Sequence, residues 1–190
     1  MAEIIGNFVF VLLLVVANGF FVSAEFAIVK VRTTQIVERM KKGHRVAPLA
    51  KHIVEHLDAY LSACQLGITL ASLGLGWVGE PLLASMFETP LATIGITNQT
   101  ALHAISFGVS FAILTFLHIV LGEQAPKMLA IQYAEVTTLV ISFPLQVFYR
   151  IFKPAIWVLN HSANFFLKML GITPISSEEH HHSAEELEII

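Results

Sequence analysis

The residues best suited to chemistry lie in the stretch 117–130, LHIVLGEQAPKMLA, where an apolar helical pattern meets a carboxylate. In a helix, Pro126 lacks an N–H and its ring clashes with the carbonyl group four residues earlier. The carbonyl oxygen of Gly122 is therefore predicted to lose its usual partner beside the carboxylate of Glu123. A broken helix at membrane depth is tolerated only where it faces protein or a water-filled cavity. The combination indicates an ion site.

Lys127 follows Glu123 by four residues, a spacing that pairs opposite charges on one face of a helix. Two roles fit this spacing. Lys127 forms a plain ion pair within the helix, or it competes for Glu123 when a bound ion leaves the site.

Polar side chains interrupt two other apolar stretches. In the first, Asn18 and Glu25 share one helical face, while Gly19 and Ser23 share another. In the second, a polar stripe recurs at helical spacing along one face: Gln65, Thr69, Ser72 and Gly76. Two interpretations remain open for these residues. They form hydrogen bonds between packed helices, or they line a pathway for a polar substrate.

The side chains that could bind an ion in these stretches all present oxygen. The sequence places Cys64 and the histidines away from them, and it contains neither an HExxH motif nor the Cys/His spacing of a zinc site. Sites made only of oxygen suit hard cations such as Mg²⁺, Ca²⁺ or Na⁺. A single carboxylate, Glu123, would leave a bound divalent ion with net positive charge, so the ion is expected to be releasable.

The composition indicates an all-α integral membrane protein. Of the 190 residues, 55% are hydrophobic and 13% are charged, whereas soluble domains carry about 25% charged residues. A spanning helix needs roughly 20 apolar residues, and three transmembrane helices are predicted: residues 4–29, 59–79 and 100–121. The net charge of −3 and the lack of a basic patch with interleaved aromatic residues argue against a nucleic-acid partner.

The segment 30–56 is strongly basic, and the positive-inside rule places it in the cytoplasm, with the N-terminus outside. Within it, Thr33–Lys42 is predicted to form a short helix that Gly43 ends, and Pro48 permits a second helix to begin. A solvated loop is favoured over a segment that contacts lipid headgroups.

Three further segments connect or follow the predicted spans. Residues 80–98 contain two prolines and are predicted to form short amphipathic structure outside the membrane. Residues 135–170 are apolar but carry prolines and cations, which favours cytoplasmic juxtamembrane helices at the inner interface over a fourth span. The C-terminus is then cytoplasmic. Residues 176–190 are acidic and polar, as expected of a linker.

Three motifs in order resemble the transmembrane domain of the CorC/CNNM family over about residues 1–175: ANGFFVSAEFA (17–27), CQLGITLASLGLGW (64–77) and VLGEQAPK (120–127). The resemblance implies a homodimer in the bacterial inner membrane, linked to Mg²⁺ export with Na⁺ as the driving ion. It also implies a cytoplasmic pair of CBS domains after this domain, toward which residues 176–190 would lead.

The resemblance also implies a set of Mg²⁺ ligands. The acidic residue of the Gly-Glu-x-x-Pro motif corresponds to Glu123, and the serine of the first motif corresponds to Ser23. Ser72 aligns with an asparagine of the animal members. Backbone carbonyl groups near three glycines complete the implied set: Gly19, Gly67 and Gly122.

These observations favour a secondary transporter that exports Mg²⁺ against Na⁺ entry, by alternating access around a dehydrated ion. Two alternatives remain open: a membrane sensor or regulator that binds Mg²⁺ without transporting it, and a passive channel for divalent cations. The sequence contains no set of nucleophile and base and no catalytic metal motif, so an enzyme is not expected.

Overall fold

The structure is a computed structural model that describes residues 2–93, 95 and 98–171. Every element within these ranges is helical, as the sequence predicts. In chain order they are α1 Ala2–Lys30, α2 Thr33–Lys41, α3 Ala47–Glu55, α4 Leu57–Thr93, α5 Gln99–Leu117, a π-helix His118–Gln124, α6 Ala125–Gln132 and α7 Ala134–Met169. The predicted linker, residues 176–190, lies outside the described ranges.

In the part of the chain that is described, four helical segments are long and apolar enough to cross a membrane: Ile5–Lys30, Leu57–Thr93, Gln99–Gln132 and Ala134–Met169. The predicted count of three spans is therefore not confirmed. The difference arises from α7, because Pro144 and Pro154 lie inside one continuous helix of 36 residues. The first three segments cover the three predicted spans, apart from one residue at the start of the first, and extend beyond the ends of all three.

Helix α4 continues to Thr93, beyond the predicted end of the second span at residue 79. The expectation of separate short structure from residue 80 is wrong as far as Thr93, because the helix passes through Pro81 and Pro90. A proline in a helix removes one backbone hydrogen bond, but contact with α5 continues on both sides of Pro81. Before it, the ideal Cβ position at Gly79 lies 3.1 Å from Leu114 of α5, and after it, the carboxylate of Glu88 lies 2.9 Å from Nδ1 of His103 of α5.

Helices α2 and α3 form the basic hairpin, and the predicted break at Gly43 is confirmed. Gly43 adopts a left-handed conformation with φ of 78°, which glycine adopts without steric cost. The N–H of His44 donates to the carbonyl of Arg39, closing the end of α2. Ile36 of α2 and Ala50 of α3 are buried in one cluster with Leu139 of α7, so the hairpin is anchored on α7.

Helix α1 lies at the centre of the fold and contacts α3, α4, α6, α7 and the π-helix. The main apolar core joins Phe21 and Ile28 of α1 to Tyr60 of α4 and Leu145 of α7. The long helix α7 contacts the first turns of α4 at two widely separated points. Gln146 of α7 bonds Tyr60, and Asn160 of α7 bonds Ser62. These partners cover about 21 Å of α7 but only about 3 Å of α4.

Candidate cation site

A cavity of about 520 Å³ lies between α1, α4 and the π-helix. It gathers polar residues that are distant in sequence within an otherwise apolar bundle. Seven polar side chains line it: Asn18, Glu25, Gln65, Thr69, Ser72, His118 and Glu123. The two predicted polar faces, one on the first span and one on the second, therefore meet at the same cavity. Gly76, the last member of the predicted stripe, is not among the lining residues.

The wall of the cavity that carries Glu123 is a π-helix rather than an α-helix. The N–H of Ala125 donates to the carbonyl of Val120, five residues earlier, as a π-helix requires. Pro126 follows directly and has no N–H with which to continue an α-helical pattern. The carbonyl oxygen of Gly122 accepts a hydrogen bond from Nδ2 of Asn18 at 2.9 Å. The predicted irregularity is thus present, and a side-chain amide from α1 bonds the carbonyl that the sequence singled out.

Asn18 connects the three walls of the cavity. It is 1% exposed, and its Oδ1 accepts a hydrogen bond from Oγ of Ser72 at 3.2 Å. Ser72 in turn lies 3.4 Å from Nε2 of His118. A buried amide that uses both its donor and its acceptor in this way fixes the positions of its partners. The interpretation of Asn18 as an interhelical contact is confirmed, and the contact lies at the centre of the candidate site.

The expectation that the histidines lie away from the oxygen donors is wrong for His118. In an α-helix, residues 118 and 123 would point about 140° apart. A π-helical turn has a larger repeat, which brings positions five residues apart toward one face. His118 and Glu123 therefore line the same cavity. The signal available in the sequence was Pro126, but periodicity at 100° per residue does not continue through a π-helix.

Two carboxylates, not one, line the cavity. Glu25 reaches it from α1, on the same face as Asn18, and Glu123 reaches it from the π-helix. From the sequence, Glu25 was placed on one helical face with Asn18, but Glu123 alone was counted as the carboxylate of the site. Two ionised carboxylates carry a formal charge of −2, which equals the charge of one divalent cation in magnitude.

The other predicted ligands occupy different positions. Ser23 does not line the cavity, although the preceding residue, Val22, does. The hydroxyl of Ser23 donates instead to the carbonyl of Pro126 at 3.4 Å. Gly122 is buried beside the cavity, where an added Cβ would lie 3.0 Å from His118 and 3.2 Å from Asn18. The roles of Ser23 and Gly122 as ligands stay predictions.

Gly19 and Gly67 lie where helices approach each other closely. A Cβ at Gly19 would come within 3.0 Å of the Pro126 ring, and one at Gly67 within 2.6 Å of the Phe21 ring. Both residues lie within regular α-helix, where each carbonyl normally accepts a backbone hydrogen bond. Their immediate physical role is close packing, and their carbonyl groups as ligands stay predictions.

Lys127 does not pair with Glu123 among the ion pairs that the structure describes. Its Nζ lies 4.6 Å from the centroid of the Phe26 ring, a cation–π contact. The expected i,i+4 pair requires an uninterrupted α-helix, and the change from π- to α-helix between the two residues removes that geometry.

Comparison with known proteins agrees with a membrane domain. The profile of the family described as the cyclin M transmembrane N-terminal domain (CNNM) matches residues 8–190. The chain is 47% identical over 187 residues to the UPF0053 protein YrkA of Bacillus subtilis (strain 168), covering 97% of this chain and 42% of that protein. It is 43% identical over 186 residues to the UPF0053 protein YhdT of the same strain, covering 98% and 40% respectively.

A more distant relative is an uncharacterized protein of Mycobacterium tuberculosis (strain ATCC 25618 / H37Rv). It is 33% identical over 172 residues, which are 90% of this chain and 48% of that protein. The chain therefore spans less than half the length of these curated relatives.

Proposed function

Because the chain belongs to the CNNM transmembrane family, we propose that it is the membrane domain of a Mg²⁺ exporter in which Na⁺ entry drives transport. Membership in the family links the domain to divalent cation transport. The observation that carries the proposal is the cavity in which Glu123, Ser72 and Asn18, from three different helices, converge on one space. Transport, rather than an enzymatic reaction, is the proposed activity.

The donors of the cavity suit a dehydrated or partly hydrated Mg²⁺. This ion takes six oxygen ligands at about 2.0–2.1 Å and usually keeps several waters. In the proposed bound state, a carboxylate oxygen of Glu123, Oγ of Ser72 and Oδ1 of Asn18 are ligands, and water completes the shell. The Gly122 carbonyl joins them when the Asn18 amide turns its nitrogen away, because an N–H and a cation cannot occupy the same acceptor direction.

The formal charge of the cavity favours Mg²⁺ over a single Na⁺. With Glu25 and Glu123 both ionised, one Mg²⁺ neutralises the cavity, whereas one Na⁺ leaves it with a formal charge of −1. A buried net charge is costly in a medium of low polarity, so Na⁺ displaces Mg²⁺ only with the help of its concentration gradient or of a second Na⁺. In this scheme Lys127 leaves the Phe26 ring and approaches the carboxylates when the cation departs.

In the proposed topology the first three long helices span the membrane and α7 lies at the inner interface. The contacts of α7 support this arrangement, since Gln146 and Asn160, which are far apart along α7, both bond residues near the start of α4. The basic hairpin then faces the cytoplasm, with the N-terminus outside and the C-terminus cytoplasmic, in a bacterial inner membrane. We further propose a homodimer whose full-length chain continues into a cytoplasmic CBS domain pair.

Flux through proteoliposomes tests the function. The purified chain is reconstituted with Mg²⁺ inside, and efflux is followed with and without an inward Na⁺ gradient. We expect Na⁺-dependent efflux in the wild-type chain and a loss of at least about 100-fold in Glu123→Gln, since removing a ligand carboxylate costs several kcal/mol. Glu55→Gln, which changes an exposed acid paired with Lys51, is the matched control.

Three outcomes would contradict the proposal. Full transport by Glu123→Gln would overturn the assignment of the site. Mg²⁺ binding without flux in the pure protein would favour a sensor or regulator. Efflux that does not depend on the Na⁺ gradient would favour a passive channel.

A further inference from the structure

A second cavity, separate from the proposed cation site, lies at the basic end of the fold between the α2–α3 hairpin and α7. Its volume is about 430 Å³, within the range of pockets that hold small molecules. We call it the hairpin groove and define it by its lining: Arg39, His44, Val46, Val136, Leu139, Val140 and Phe143. It shares no lining residue with the cation site.

One side of the hairpin groove is apolar and open. Val136, Val140 and Phe143 follow one face of α7 at helical spacing, and each is more than half exposed in the chain as described. Leu139 is buried between them and the hairpin and forms the floor. An apolar strip of this kind is compatible with a hydrocarbon chain running along α7.

The other side of the hairpin groove carries Arg39 and His44, and the backbone turn at Gly43 brings them together. The hydrogen bond from the N–H of His44 to the carbonyl of Arg39 closes that turn. As a result, the side chains of residues 39 and 44 reach the same groove. Nε of Arg39 forms an ion pair with Glu135 of α7, which ties the guanidinium group to that helix beside the groove.

The surroundings of the hairpin groove are strongly positive. Residues 30–51 contain seven of the chain's eleven lysines and arginines and one acid, Glu38, which Lys42 pairs. Glu135 of α7 is a second nearby acid, and it pairs with Arg39. Basic surfaces beside membrane helices attract anionic lipids, with about 1 kcal/mol for each Lys or Arg near the surface. A cationic rim directly beside an apolar strip is complementary to a molecule that carries an anionic group on an acyl chain.

We propose that the hairpin groove binds an anionic phospholipid, with the phosphate against Arg39 and His44 and an acyl chain along Val136, Val140 and Phe143. The site connects the hairpin to α7 through one ligand. This proposal does not depend on which ion the other cavity carries, or on whether the chain transports it.

Lipid binding to the full chain, purified in detergent and delipidated, tests the phosphate contact. Native mass spectrometry counts retained phosphatidylglycerol and phosphatidylcholine. We expect one phosphatidylglycerol per chain, bound at least about tenfold more tightly than phosphatidylcholine, and a roughly fivefold weakening in Arg39→Gln. Lys41→Gln removes an equal charge from the same helix outside the groove, and we expect less than a twofold change.

Two further variants separate charge from structure. Glu135→Gln breaks the same ion pair as Arg39→Gln but keeps the arginine, so phosphatidylglycerol binding is retained or tightened. Val140→Trp fills the apolar strip and should lose the lipid. Val158→Trp, at another exposed position of α7, should retain it.

Several results would overturn the proposal. Equal losses in Arg39→Gln and Lys41→Gln would show general attraction to a basic surface. Retention of phosphatidylglycerol by Val140→Trp would exclude the acyl contact. Equal thermal stabilisation by inorganic phosphate would show that the occupant is a free anion. A change in oligomeric mass in Val140→Trp would indicate that a second copy of the chain covers the groove.

Discussion

Prolines occur inside several helices of this protein, but the helical geometry differs between them. Helices α4 and α7 continue as α-helix through Pro81, Pro144 and Pro154. Pro126 instead lies in the first turn of α6, two residues after the end of a π-helix that forms one wall of the cation site. Each proline removes the same backbone donor, so the missing N–H alone does not explain the difference.

The difference lies in what bonds the carbonyl group that each proline leaves without a partner. The Gly122 carbonyl receives a hydrogen bond from the buried amide of Asn18. Within the described helices, no side chain donates a hydrogen bond to the corresponding carbonyls of Trp77, Val140 and Arg150. Glycine at position 122 also leaves room for Asn18 and His118 to approach the backbone. The comparison teaches that a site forms where a break in a helix coincides with a donor from a neighbouring helix.

The largest effect on stability and Mg²⁺ affinity is expected when the amide of Asn18, the donor to the Gly122 carbonyl, is removed. In Asn18→Ala the buried Gly122 carbonyl loses its side-chain partner, and Ser72 loses its acceptor. We expect the protein to lose about 1–3 kcal/mol of stability, with a comparable loss in Mg²⁺ affinity, measured by thermal unfolding with and without Mg²⁺. Asn160→Ala removes an exposed asparagine that also forms one hydrogen bond, and a change within about 0.5 kcal/mol is expected. Equal effects of the two substitutions would refute the role given to Asn18.

The second-largest effect is expected on Mg²⁺ efflux, when the backbone N–H that Pro126 lacks is restored. Pro126→Ala offers a backbone donor for the acceptor that Asn18 uses, which favours α-helical geometry and turns Glu123 away from His118. Since one hydrogen bond contributes about 1 kcal/mol, we expect a roughly fivefold slower Mg²⁺ efflux. Pro144→Ala makes the same chemical change in α7 and should leave efflux unchanged. If both variants transport Mg²⁺ at the wild-type rate, the break does not position the site.

The smallest effect concerns the contact that holds Pro126 against α1. Gly19→Ala places a methyl group 3.0 Å from the Pro126 ring, so the proline must move by a few tenths of an ångström. Gly6→Ala is the control in the same helix, since its added methyl group meets no atom within 4 Å. The gain in helix propensity is common to both. We expect Gly19→Ala to be about 1 kcal/mol less stable than Gly6→Ala in thermal unfolding, and equal stability would contradict the packing role.

Local patterns in the sequence predicted much of the fold. Apolar runs identified three long helices, Gly43 marked the end of α2, and Pro126 marked the break beside Glu123. These features depend on single residues and their immediate neighbours. The long extent of α4 and α7 was not predicted, because packing against other helices offsets the cost of an internal proline.

The candidate site was predicted in part for a related reason. The polar faces that carry Asn18 on α1 and Ser72 on α4 were identified from helical periodicity, and they do meet at one cavity, whereas Ser23 does not line it. The position of His118 was missed because a π-helix changes the helical periodicity. The position of Glu25 was missed because the sequence alone does not show which part of α1 faces the cavity. The partner of the Gly122 carbonyl is 104 positions away in the chain, beyond any local pattern.

The most direct test of the central claim is an experimental structure of the chain in a lipid environment with Mn²⁺ in place of Mg²⁺, using the anomalous signal of Mn²⁺. If Glu123 is a ligand of the transported ion, one peak lies in the cavity between α1, α4 and the π-helix, about 2.0–2.2 Å from a carboxylate oxygen of Glu123. The peak should disappear in Glu123→Gln. A transport-competent protein with no peak in this cavity, or with its peak elsewhere, would contradict the proposed cation site.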